Sequence, residues 1–113
     1  MGYQRAERIE KIIQQNLSKI IQSKLEDPRI GLVTITRVKV SKDLSYATIF
    51  ITGGNDRASK KSLKILLRAR KFIRKRLAGV LRLRKVPEIN FKLDKNVIEL
   101  QRVNELFEKI KMT

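Results

Sequence analysis

At 113 residues, with 42% hydrophobic and 34% charged residues, the chain has the length of one domain and the composition of a globular one. It contains no Cys and no His, which excludes a disulfide framework and thiolate chemistry and removes the usual general base and soft metal ligands. Its 27 Lys and Arg against 11 Asp and Glu give a formal charge of +16, and self-repulsion on that scale points to a polyanionic partner.

The stretch MGYQRAERIEKIIQQ is charged from its start and has Ala6 where a myristoylation pattern needs Ser or Thr, so no secretory signal and no lipid anchor are expected. The longest uncharged run, 44–55, is far short of the ~20 residues of a spanning helix. A cytoplasmic, membrane-free monomer is expected.

In chain order, residues 5–25 place Ile9, Ile12, Ile13, Leu17, Ile20, Ile21 and Leu25 on one helical stripe, with Arg8, Lys11, Gln15, Lys19 and Gln22 opposite. This predicts an amphipathic helix that stops before Pro28, because the residue before a proline disfavours helical backbone. Gly31 then opens a strand over 31–41. Val33 and Ile35 share one parity and Val38 and Val40 the other, so a bulge near Thr36–Arg37 is needed to bring all four to the core side. The turn at Lys42-Asp43 leads into a second strand, 44–52, with Ala47, Ile49 and Ile51 facing one way and Tyr46, Thr48 and Phe50 the other. The two read as a β-hairpin. Core or final-helix packing is the expected fate of Tyr46 and Phe50; base stacking from the second sheet face is the alternative.

GGND, 53–56, is a loop, after which Ser59 or Asp56 is a candidate cap. Residues 57–80 are helical in pattern, with Leu63, Leu66, Leu67, Ile73 and Leu77 inward and Phe72 a further core candidate. The apolar phase slips near Ala69, which predicts two helical segments meeting at an angle. Gly79 suits a terminus. Residues 86–94 alternate as a third strand with Ile89, Phe91 and Leu93 on one side, and Pro87 is tolerable at its start. A final helix, about 98–111, carries Leu100, Val103, Leu106, Phe107 and Ile110 on one face. The whole is a two-layer α+β domain, a three-stranded sheet covered on one face by helices.

Catalytic readings find little support. Glu26-Asp27 is the only adjacent acid pair and falls at a helix end; Asp43 belongs to a turn; a Ser41–Lys42 dyad lacks an identifiable base or oxyanion site. Gly53-Gly54 is not followed by Gly-Lys-Ser/Thr, so there is no phosphate loop. No metal and no cofactor are expected.

The charge distribution carries more. From Arg57 to Pro87, 31 residues, there are 13 Lys or Arg and no Asp or Glu. A solvated helix face would mix signs, yet Lys60 and Lys64, and Arg70 and Arg74, are like-charge neighbours one turn apart, each pair costing about 0.2–0.5 kcal/mol. The apolar face of this region is needed for the core, which argues against a membrane-surface or calmodulin-target helix. Nucleic-acid phosphates remain, since dense Arg and Lys suit them. A helix-turn-helix does not fit the hairpin and third strand. The order α-β-β-α-α-β is that of the type II KH domain, a single-strand RNA fold. The Gly-x-x-Gly loop of that fold is missing: the glycines are at 2, 31, 53, 54 and 79.

The chain resembles the ribosome-binding factor A family. The resemblance covers nearly its whole length, 1–113, as a single KH-like domain. It rests on Arg5 and Arg8 and on Asp27-Pro28-Arg29. It continues through Val40-Ser41-Lys42-Asp43-Leu44-Ser45-Tyr46-Ala47, Ala69 with Phe72-Ile73-Arg74, Leu83-Arg84, and Pro87-Glu88-Ile89 with Phe91 and Asp94. It implies a KH-like α-β-β-α-kink-α-β fold plus a C-terminal helix, with the kink at Ala69 replacing the glycine loop. Lys71 departs from the family's usual glycine and adds charge there. The resemblance further implies a non-enzymatic factor that binds the free 30S subunit and 16S rRNA near its 5′ end. Such a factor assists late 30S maturation and rRNA processing, matters most in the cold, and shares its particle with assembly GTPases. On this reading Arg68, Arg70, Lys71, Arg74, Lys75 and Arg76, with Arg82, Arg84 and Lys85, contact rRNA, and Arg5, Arg8 and Arg29 are secondary. From the residues alone, a general KH-like protein acting on messenger or small RNA, and an adaptor for an acidic protein, stay open.

Overall fold

The computed structural model describes residues 2–23, 33–81 and 85–111. In chain order they form α1 (Gly2–Ser23), β1 (Thr34–Val40), β2 (Tyr46–Thr52), α2 (Asp56–Arg68), α3 (Arg70–Val80), β3 (Glu88–Leu93) and α4 (Lys95–Lys111). The expected ends at Pro28 and Gly31 lie outside the described residues.

The sheet order is β1-β2-β3, with β1 antiparallel and β3 parallel to β2. A parallel pair needs a crossover, and α2 with α3 supplies it. The bulge falls where parity required it: Ile35 pairs with Ile51 and Arg37 with Phe50, so Thr36 is the extra residue. Ile35, Val38 and Val40 are thereby all buried, with Val33 packed against them. Ala47, Ile49 and Ile51 of β2 and Ile89 and Phe91 of β3 complete the inward face of the sheet.

That face is filled by Ile9, Ile13, Leu17, Ile20 and Ile21 of α1 and by Leu66, Ile73 and Leu77 of α2 and α3. Each fully buried Ile or Leu contributes about 1.5–3 kcal/mol, which holds the helices to the sheet. Three residues assigned inward fall at the margin: Leu63 and Leu67 are half-buried against the core, and Ile12 is 38% exposed. Ile12 lies about 100° round the helix from Ile13, beyond the width of the stripe. Phe72 is corrected outright: it is 44% exposed, because α3 turns Ile73 and Leu77 inward and leaves its neighbour on the flank.

The α1 side chains also close the β1 edge. The Val40 N–H donates to Glu10 at 2.7 Å, and Gln14 donates to the Ile35 carbonyl at 3.4 Å. The hairpin turn runs through Ser41–Leu44, with the Leu44 N–H donating to the Ser41 carbonyl at 2.9 Å and Leu44 itself left-handed at φ 61°.

The cap of α2 is Asn55, whose side-chain oxygen accepts the Ala58 N–H at 2.8 Å; neither Ser59 nor Asp56 plays that part. Ser59 is buried and accepts the Gly53 N–H at 2.7 Å, drawing the loop so close that a Cβ on Gly53 would meet the Ala58–Ser59 backbone at 3.0 Å. Gly79 lies inside α3, whose C-cap is Leu81. The helix pair breaks at Ala69, which caps α2 and starts α3 with ψ 2°, where the sequence places the phase slip.

α4 begins at Lys95, earlier than its apolar pattern indicates, because Asp94 accepts the Val97 N–H and starts it. Leu100, Val103, Leu106, Phe107 and Ile110 are all exposed, and Ile98 is the buried residue of α4 among those described. The inward face of the sheet is already covered by α1–α3, and that stripe stays on the surface. Tyr46 is likewise not packed: it is 61% exposed.

Candidate nucleic-acid interface

The kink is built by opposing demands. Leu66 on α2 and Ile73 and Leu77 on α3 must all reach the core, and the bend at Ala69 lets them. The cations between them are turned to solvent: Arg68 ends α2, Arg70 and Lys71 open α3, and Arg74, Lys75 and Arg76 follow, all exposed. α3 has no acid in its first turn, so Arg70 and Lys71 stand at the positive end of its dipole.

Arg70, Lys71, Arg74, Lys75 and Ala78 line a groove of about 1020 Å³, together with Tyr46, Thr48, Glu88 and Asn90. The groove runs over β3, the sheet edge. Arg70, Lys71 and Lys75 make no ion pair among the described residues. Arg74 is partly committed to structure: its Nε donates to the Pro87 carbonyl at 3.2 Å and its guanidinium to the Val86 carbonyl at 2.9 Å, clamping the approach to β3. Arg76 is placed over the Phe72 ring, 5.5 Å from its centroid, which keeps that exposed ring partly shielded.

Lys85 lies apart, with its ammonium donating to Ser45 Oγ at 3.1 Å beside the hairpin turn. There Asp43 accepts the Ser41 hydroxyl at 2.8 Å and the Ser45 N–H at 3.1 Å, and these bonds hold its carboxyl below the usual carboxylate range. Asp43 is therefore a turn residue, as its position suggested.

Arg8 belongs to a different groove of about 650 Å³ between α1 and β1, which also contains Glu7 and Glu10 and is of mixed charge. Arg5 is exposed on α1 and lines neither groove. Arg29, Arg82 and Arg84 lie outside the described residues.

The sequence reading passed over Arg37, Lys39 and Lys92, which extend the basic character onto the outward sheet face. Their signal was strand parity: Lys39 and Arg37 pair with Thr48 and Phe50, and Phe50 with Lys92. Arg37 stacks over the Phe50 ring at 3.9 Å. Among the described residues no cluster of three or more His, Cys, Asp or Glu could hold a metal ion, and no helix is long and apolar enough to cross a membrane.

The arrangement is a bent helix pair that presents cations along a sheet edge, with Arg70, Lys71 and Lys75 making no ion pair among the described residues. A family model for ribosome-binding factor A matches residues 5–107. The chain belongs to the ribosome-binding factor A family.

The ribosome-binding factor A of Chromohalobacter salexigens is 43% identical over 109 residues, covering 94% of this chain and 83% of that protein. Among solved structures, the crystal structure of ribosome-binding factor A from Thermus thermophilus superposes with a TM-score of 0.70 at 30% identity, over 78% of this chain and 94% of that one. A Thermus thermophilus ribosome-binding factor A homology model, fitted into the cryo-EM map of a 30S complex, gives 0.65 at 30% identity over 75% and 90%. The ribosome-binding factor A fold is thus the KH-like one that the element order indicates, with a kink at Ala69 in place of a glycine loop.

Proposed function

We propose that this chain is a non-enzymatic, monomeric, single-domain assembly factor of the cytoplasm that binds the free 30S subunit through 16S rRNA. The observation that carries the reading is the cation-rich surface around Ala69, where Arg68, Arg70, Lys71, Lys75 and Arg76 are all exposed and Arg70, Lys71 and Lys75 make no ion pair among the described residues. Cations spaced along a bent helix pair suit the phosphates of an irregular RNA backbone, which they hold in position without reading sequence. Arg74 joins them with what remains of its donor capacity, and Lys85 extends the surface toward the hairpin. Arg82 and Arg84 join by sequence, and Arg5, Arg8 and Arg29 form secondary contacts. The family relationship, and the Thermus thermophilus relative fitted into a 30S complex, support the small subunit as the target.

Within that reading the factor acts near the 5′ end of 16S rRNA, assists late maturation and processing, matters most in the cold, and shares its particle with assembly GTPases. The test is co-sedimentation of the purified protein with free small subunits, free large subunits and whole ribosomes over a salt series. Selective retention on free small subunits, weakening as salt rises, is expected. Equal loss from every particle at modest salt would show the +16 charge acting without specificity, and equal binding to unrelated messenger RNA would favour a general RNA-binding protein.

A further inference from the structure

The groove over the β3 edge holds a feature that phosphate binding does not use, an aromatic ring open to solvent. Tyr46 is 61% exposed and stands on the outward side of β2, paired in register with Glu88 of β3. Phe50, on the same side of the same strand, is covered by the Arg37 guanidinium at 3.9 Å, so Tyr46 offers the free ring face. An exposed tyrosine on a strand needs no explanation by itself. This one lines the same groove as Arg70, Lys71 and Lys75, three cations without an ion pair among the described residues.

We propose that Tyr46 stacks an unpaired RNA base whose flanking phosphates are held by Arg70, Lys71 and Lys75. The inference rests on the RNA-binding reading above and adds a contact to a base where that reading has contacts to phosphates. A base and its backbone are an aromatic plane and an anion on one chain, and the groove that wraps the β3 edge is lined by the Tyr46 ring, with Glu88 beside it, and by the cations of α3. Its volume of about 1020 Å³ admits a nucleotide. Thr48 and Asn90, neighbours in register next to Tyr46, supply donors and acceptors for a base edge. A base within a duplex keeps its faces stacked and cannot lie on the ring, so the occupant is single-stranded. The mixed-charge groove beside α1 has no aromatic lining residue.

The chain has no Trp, and its only other tyrosine is Tyr3, so a Tyr3→Phe background makes the intrinsic fluorescence that of Tyr46 alone. The probes are hexaadenylate RNA and a blunt RNA duplex at equal phosphate concentration. Saturable quenching by hexaadenylate and none by the duplex is expected. By anisotropy of labelled hexaadenylate, Tyr46→Leu should weaken binding roughly 5- to 100-fold, whereas Tyr46→Phe, which keeps the ring face, should stay within about twofold. Neither should change the salt slope, since no phosphate contact is lost. The ring is exposed, so both variants should melt with the unmodified protein.

No quenching, equal quenching by single strand and duplex, or equal affinity of Tyr46→Leu and Tyr46→Phe would overturn the proposal. Co-sedimentation with free small subunits separates the two readings. If the unmodified protein is retained there without Tyr46 quenching by hexaadenylate, only the stacking fails; if it is not retained, the assembly-factor reading fails.

Discussion

The Asp94 carboxylate accepts the Thr36 hydroxyl at 2.5 Å, accepts the Val97 N–H at 3.3 Å, and lies 4.0 Å from the Arg37 guanidinium. One side chain so ties the β1 bulge to the start of α4. The Thr36 bond is the largest influence holding its carboxyl below the ordinary value; burial opposes it, and the Val97 bond and Arg37 assist. A depressed folded pKa stabilises above the unfolded value of about 3.9 and that stability is lost as pH falls through the folded one. With no His or Cys, no side chain that ordinarily titrates between about pH 5 and 8 is present. Stability in urea should therefore be flat there and fall below about pH 4. Asp94→Asn should make that acid fall shallower, and Asp94→Ala should cost about 1–3 kcal/mol at neutral pH. The sequence showed Asp94 as the end of a strand and as one of the residues that carry the family resemblance, but not as a tie to β1, because its Thr36 partner is 58 residues away.

At the scale of elements, α3 sets local stability against function. Arg70 and Lys71 stand in its first turn, where the dipole favours anions. Substituting both with Glu should raise thermal stability by about 0.3–1 kcal/mol per residue, while reducing retention on small subunits. It should also flatten the slope of log K against log salt by roughly 1.5, the value for two lost phosphate contacts. Parallel loss of stability and binding would mean that the cations hold the fold. The break at Ala69 was legible because apolar positions on both sides must reach one core, and no straight helix satisfies their phase. The exposure of Phe72 was not legible, since its place relative to the stripe depends on how far the chain turns at the break.

For the whole molecule, the informative contrast is between apolar stripes. Those of α1, α2 and α3 close on the sheet, whereas that of α4 stays exposed. Leu77→Ala should cost about 2–5 kcal/mol, as deletion in a packed core does. Leu100→Lys and Leu106→Lys should stay within about 0.5 kcal/mol, measured by urea denaturation. A large loss from the α4 variants would mean that the stripe is packed in solution. The described residues of the acid-free run from Arg57 to Pro87 form α2, the kink, α3 and the approach to β3, so much of the charge concentrated in sequence is also concentrated in space.

Charge, the absent His and Cys, the helical and strand periods, the Thr36 bulge and the Ala69 break are local or compositional, and the sequence by itself determined them. Each follows from a requirement on neighbouring residues: cations without counter-ions, or apolar groups that must share a face. Tertiary structure decided which stripe was used and which was left over, because one sheet face accommodates a limited number of helices. It also decided that Asn55 caps α2, that Arg74 is partly bound to the chain itself, and that Tyr46 lines the same groove as the kink cations. Those outcomes depend on distances between segments far apart in the chain, and hydrophobic periodicity contains no such distances.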